Sequence, residues 1–288
     1  MITPLSHFAD SGPAVHVAPA TLFTIGGVPI TNSILLGWIV AVLMIVVLVK
    51  VARRVSVRPK RGLVQYVEAL VSFVSNLVEG SFDDKAVGRK YVPFFVTLFF
   101  FVLLNNWAEL IPGVGEPLLV HGHPLLRPMT ADLNATVGIG LVTMVVVYVA
   151  SVREVGGFGK YIRHFFIGSP LNPLYLVIGL IEMLTDLTRV LSLALRLFLN
   201  ITIGEIVISV FGFLGSMLAP SSILSPIAAL PFTLLELGVG ALQAYIFVIL
   251  GVNYLAIAVN SAHAPHDEAN LTEEEGTETI GQLNLEQR

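Results

Sequence analysis

Cysteine is missing from all 288 residues, which excludes disulfides, thiolate metal sites and cysteine nucleophiles. Charge is scarce as well. Asp, Glu, Lys and Arg make up 12% of the chain, about half the share of a typical soluble domain. Met1 to Ala20 lacks a basic stretch followed by an apolar core, so no cleaved signal peptide is expected and a first membrane helix takes the targeting role. The net charge of −4 is modest and says nothing about nucleic acid, and no nucleic-acid partner is expected. No internal repeat is recognisable. What fills the chain is apolar: 55% of residues are hydrophobic and the mean hydropathy is +0.83. These values describe an integral membrane protein with several spans.

Met1 to Pro29 carries Pro4, Pro13, Pro19 and Gly26-Gly27, and reads as an irregular segment. Thr31 to Val49 is a first, uncharged span, closed by Lys50 and the basic run Arg53, Arg54, Arg58, Lys60 and Arg61. Gly62 to Phe82 sets Val64, Val67, Val71, Val74 and Val78 on one helical stripe but also carries Glu68 and Glu79. That mixture predicts an interfacial amphipathic helix over 62–82 rather than a span. Tyr91 to Ile111 is a second span, rich in Phe and ended by Pro112-Gly113. A loop over 114–130 leads to Asp132, a helix N-cap for a third span, Leu133 to Val152. After a polar loop, Leu171 to Leu218 and Ile227 to Val259 form a long hairpin about a turn at 219–226. Fully helical, its first arm would measure about 72 Å against a hydrocarbon core of about 30 Å, so it must tilt steeply, bend, or run partly along the interface.

The predicted fold is therefore an all-α integral membrane protein. It has about five transmembrane helices, one interfacial amphipathic helix and a long, strongly tilted C-terminal hairpin. Its parts are an N-terminal segment 1–30, helices within 31–170, the hairpin 171–262 and an acidic tail 263–288. The tail holds Glu273-Glu274-Glu275 and is expected to be disordered. Clusters at 50–61, 85–90 and 153–163 hold six, three and three of the 16 Lys and Arg, whereas Arg127 is the lone basic residue between the second and third spans. The positive-inside rule puts the clusters in the cytoplasm, the N-terminus outside and the C-terminus inside.

The hairpin carries the membrane-buried charge. Glu182, Asp186, Arg189, Arg196 and Asn200 follow steps of four, three, seven and four, and share one helix face. Glu205 lies on the opposite face, about 13.5 Å beyond Arg196. The second arm offers Glu236, Gln243 and Tyr245. Folding about a turn near Pro220 pairs residues whose numbers sum to about 440, setting Arg196 opposite Gln243 and Glu205 near Glu236. Two carboxyls in one low-dielectric site cannot both ionise cheaply, which suits a proton station. A guanidinium does not release its proton, so Arg196 is an electrostatic element.

The stretch Ser192-Leu193-Ala194-Leu195-Arg196-Leu197-Phe198-Leu199-Asn200, with Gly204-Glu205 after it and Leu242-Gln243-Ala244-Tyr245-Ile246-Phe247 on the second arm, resembles subunit a of the F-type ATP synthase. Asn105-Asn106-Trp107-Ala108-Glu109-Leu110-Ile111-Pro112 and Ala131-Asp132-Leu133-Asn134-Ala135-Thr136 extend the likeness over residues 90 to 262. The resemblance implies a stator channel beside a rotating c-ring, without a cofactor or metal and without catalysis of its own. Arg196 would face the essential carboxylate of each c subunit and separate two aqueous half-channels, with Gln243 supporting it. Glu205 and Glu236 would line the outer half-channel, and Asn200, Asn134 and Glu109 would belong to the proton path. Partners implied are the c-subunit ring, the peripheral-stalk b subunits, the catalytic sector indirectly and the lipid bilayer, in a bacterial plasma (inner) membrane. Two departures stand out: Leu199 replaces a frequent Gly, and both outer sites hold Glu where one Glu and one His are common.

Plainer readings compete. A self-contained secondary transporter would place broken helices at Gly- and Pro-interrupted segments and show internal symmetry, which this chain lacks. A lone Arg can snorkel to the interface. Glu182, Asp186 and Arg189, with Tyr245, read as a supporting polar face rather than proton carriers, and Asp132 as a cap. His121 and His123 cannot by themselves make a tetrahedral metal site.

Overall fold

The computed structural model describes residues 19–54, 62–111, 114, 119–120, 123–157, 173–218 and 224–263. The segment just before the first span is not irregular. Strands β1 (Thr21–Ile25) and β2 (Val28–Thr31) pair as an antiparallel hairpin. Gly26 and Gly27 adopt φ of +58° and +86°, which is what a two-residue turn between twisted strands requires. The flanking Thr, Phe, Ile and Val residues suit a pleated strand, so glycine here marks a turn rather than disorder. The hairpin feeds α1 (Asn32–Ala52), whose first turn is capped by Thr31 accepting from the Ile34 amide.

Helix α2 (Leu63–Gly80) matches the interfacial stripe, but its valines meet protein. Val74 and Val78 are fully buried in the main core, with Val67 and Val71 beside them, while Leu63, Tyr66 and Phe73 stay exposed. Helix α3 (Lys85–Ala108) starts earlier than hydropathy alone predicts. The Asp84 carboxylate accepts from the Ala86 amide at 2.8 Å and caps it there. Between α3 and the next helix lie the two-residue strands β3 (Leu119–Val120) and β4 (His123–Pro124) and one 3₁₀ turn, Met129–Ala131. Helix α4 (Leu133–Val155) begins at Asp132, which accepts from the Asn134 amide, and ends at Gly156 in the left-handed conformation. Helices α5 (Pro173–Leu218) and α6 (Leu224–His263) form the hairpin. Helix α6 starts before Pro226, because a proline in the first turn forfeits only an amide that has no helical partner anyway.

Helices α1, α3 and α4, residues 191–215 of α5 and residues 226–260 of α6 are long and apolar enough to cross a membrane. The protein is an integral membrane protein with a nearly all-helical fold. Its core is a seam where α6 meets α3, α4 and α5, filled by Phe95, Phe99, Leu103, Leu193, Leu197, Phe247, Val248 and Val252. Trp38, Val42 and Ile45 of α1 are exposed, as suits a helix against lipid. Polar ties are few and specific. Asn106 Nδ2 donates to the Gly240 carbonyl at 3.0 Å in the buried interior, and Trp107 Nε1 to the Leu237 carbonyl at 3.0 Å. At the opposite end of α3, Tyr91 and Lys90 both donate to Glu154 of α4.

The Asn106 bond is expected to matter for assembly. Asn106→Ala should destabilise the α3–α6 seam by about 0.6–2 kcal/mol, read as a lower thermal midpoint of the detergent-solubilised complex. An unchanged midpoint would show that the bond is energetically idle.

Candidate functional site

The hairpin closes with the register that its turn predicts. The Arg189 guanidinium lies over the Tyr254 ring, 4.4 Å from its centroid, and the Glu236 carboxyl lies against the backbone of Gly204. The residue numbers of these pairs sum to 443 and 440. A Cβ at position 204 would fall on the Glu236 carboxyl, so only glycine leaves room for the acid there.

Arg196 is exposed on α5. It sits in an open groove of about 590 Å³ with Thr188, Leu191, Ser192, Leu195, Leu199 and Asn200. Gln243, its neighbour by register, is instead buried in the hairpin, and its Nε2 makes no hydrogen bond to the described protein. The helix face decides this difference: the Leu193–Leu197 side of α5 is buried in the core, whereas Arg196 lies on the exposed side.

The carboxyls gather elsewhere. Glu236 is buried and lines a cavity of about 180 Å³ between α5 and α6, with Asn200, Gly204, Phe232 and Val239. Glu205 is half-buried, and its Oε2 lies 3.9 Å from Arg127 Nη2. Glu109, at the C-cap of α3, is within electrostatic range of Glu236, Glu205 and Arg127. Neither of its carboxyl oxygens, both buried, has a hydrogen-bond partner in the described protein. The two expected carboxyls are thus joined by a third from a different helix. Asn200 lines both the open groove of Arg196 and the inner cavity of Glu236, and so forms the wall they share.

Other candidates are placed apart. Asn134 is exposed in the first turn of α4, and its backbone amide donates to the Asp132 cap at 3.0 Å. Tyr245 packs its ring on Phe73 of α2 at 5.9 Å. Arg189 is held by Tyr254, so these two members of the expected polar face contact different elements. The side chains of Glu182, Asp186, His121 and His123 lie outside the described residues, as do the basic run from 55 to 61 and the tail from 264. Sequence reasoning passed over Arg127, which it used only to orient the loops. Its flanks, Leu125-Leu126 and Pro128, are the signal that it packs inward.

Chemically, the site has two parts. One is a permanent cation on an open, largely apolar face. The other is an internal set of acids, each able to bind and release a proton.

The ATP synthase A chain family matches residues 34–256. ATP synthase subunit a of Moorella thermoacetica is 31% identical over 242 residues, covering 84% of this chain and 96% of that one. The subunit a of Acidothermus cellulolyticus is 36% identical over 203 residues, 70% of this chain and 67% of its own. That of Anaeromyxobacter dehalogenans is 33% identical over 224 residues, 76% of this chain but only 55% of the longer relative. The matched region runs from the first turns of α1 to the last turns of α6 and takes in the groove and the acid cluster alike. The chain belongs to the ATP synthase A chain family, as a membrane subunit of the F-type ATP synthase rather than a catalytic one.

Proposed function

We propose that this chain translocates protons against a rotating ring of c subunits, with Arg196 as the barrier and Glu109, Glu205 and Glu236 as stations of the outer half-channel. The observation that carries the assignment is the division at Asn200, with the guanidinium in an open groove on one side and the Glu236 carboxyl at a cavity between α5 and α6 on the other. A proton enters from outside, passes the acids and neutralises a rotor carboxylate, which rides round the ring. It leaves to the cytoplasm on the far side of Arg196, where the guanidinium favours the ionised carboxylate. The membrane potential supplies about 2.3 kcal/mol per charge per 100 mV. The cavity is large enough to hold water, and Asn200 and Glu236 supply polar partners in an otherwise apolar lining, as a relay between them requires. Gln243 lies close to the path by register and supports the Arg196 region.

The hairpin 171–262 is the ring-facing unit in this reading, and helices within 31–170 form its backing. The N-terminus lies outside and the tail 263–288 in the cytoplasm of a bacterium. The peripheral-stalk b subunits hold the chain still, and through them it acts on the catalytic sector. The rival reading, a self-contained transporter, has no internal repeat to support it and is not favoured.

The absence of cysteine makes a direct test clean. Single cysteines at Ser192 or Leu199, which line the groove, should form disulfides with cysteines placed beside the essential carboxylate of the c subunit. A cysteine at Ile45 on the lipid face of α1 should not. Cross-links at Ile45 but none in the groove would sink the assignment of the ring-facing surface.

A further inference from the structure

The Arg127 guanidinium is a deeply buried cation that the proposed proton path does not use. It is 1% exposed and comes from the loop before α4, not from a spanning helix. A charge buried that deeply persists when other charges compensate it. A tight Arg–carboxylate pair is frequently bidentate, with contacts of about 2.7–2.9 Å. Arg127 does not make one. Its Nη2 donates to the Ala131 carbonyl at 3.3 Å and stands 3.9 Å from Glu205 Oε2. Its Nε and Nη1, both buried, have no hydrogen-bond partner in the described protein. What surrounds it is acid from three elements: Glu205 on α5, Glu109 at the end of α3 and, through Glu109, Glu236 on α6. Asp132, further along the same loop, is engaged as the cap of α4.

We propose that Arg127 is a positioning residue of the outer half-channel, a fixed counter-charge that sets the pH range over which the Glu205–Glu109–Glu236 cluster takes up protons. It acts by its field rather than by its fork. Without it, three carboxyls in one low-dielectric site would hold protons more tightly, since a nearby cation favours the ionised form. Arg127 thus tunes the entrance by its charge, while Arg196 guards the exit. This rests on the reading of those acids as the outer half-channel.

The test uses the whole synthase reconstituted in liposomes with the outer-channel face toward the lumen. ATP synthesis at a fixed potassium–valinomycin potential is followed as lumen pH is varied. Arg127→Gln should move the lumen-pH midpoint by about one to two units toward higher pH. Arg127→Lys keeps the charge and loses the fork, and should stay within roughly half a unit of wild type. Wild-type midpoints in both variants, or a Lys variant displaced as far as the Gln variant, would overturn the proposal. Should the Gln variant fail to assemble, the Lys variant decides: normal assembly with a wild-type midpoint supports the counter-charge, and loss of either refutes it. Arg196→Ala is measured in parallel; if that variant still couples, the proposed function fails whatever Arg127 does.

Discussion

Arg196→Ala is expected to abolish coupled ATP synthesis while the chain still inserts and assembles. Arg196 is exposed in its groove, so truncation removes no core packing and should change stability by only about 0.5 kcal/mol. Its loss is electrostatic. A guanidinium stays charged at every physiological pH, and in the proposed function it keeps a protonated rotor site from sliding directly between the two half-channels. Without it, protons should cross without turning the ring. Inverted membrane vesicles should show a fast passive leak, and synthesis should fall to background. Arg196→Lys keeps a charge but replaces a planar fork with a compact, strongly hydrated ammonium whose protonation the site can shift. It should restore at most a small part of the coupling. Synthesis near the wild-type rate in Arg196→Ala would remove the barrier role altogether.

The second large effect is expected at a residue with no functional group. Gly204→Ala places a methyl group where the Glu236 carboxyl now lies. The obstacle is the far end of a flexible side chain, so the helices need not part and the protein should fold. The carboxyl must swing away, however, and leave its place beside the cavity it shares with Asn200. A displacement of about 1 Å in a reacting group can cost on the order of 100-fold in rate, and proton-driven synthesis should fall on that scale with normal amounts of complex in the membrane. Shortening the acid should compensate: Gly204→Ala combined with Glu236→Asp withdraws the carboxyl by about one carbon–carbon bond, some 1.5 Å. The double variant should regain part of the lost rate. Full activity in Gly204→Ala alone would show that the position of this carboxyl is not critical.

Much of this organisation is legible in the residues. The helices of the membrane region follow from uninterrupted apolar runs, and their ends from local chemistry such as the Asp132 cap and Gly156. The register of the hairpin could be read because one turn and a constant helical rise determine which residues meet; Glu236 against Gly204 and Arg189 over Tyr254 both obey it. The strand hairpin at 21–31 was also available to a local reading. The Gly26-Gly27 pair between two β-prone runs is a turn signal, but it was outweighed by the prolines upstream. Helix α2 shows a different limit. Its valine stripe is equally apt for a bilayer surface and for a protein groove, and periodicity does not tell which of the two it meets.

The acid cluster is where local reading stops. Register brings Glu205 to Glu236, because both lie on one hairpin. It has no means of bringing in Glu109, from the end of α3, or Arg127, from a loop. Those placements depend on α3 being fastened to α6 by Asn106 and Trp107, and on the loop turning a charged side chain inward. The same holds for Arg196 and Gln243. Sequence alone determined that this is a multi-span membrane protein with two arginines and several acids on a long hairpin, because hydropathy and helical spacing are local properties. Tertiary structure alone decided which of those charges come within range of one another and which face outward. Burial and electrostatic coupling are set by contacts between segments far apart in the chain.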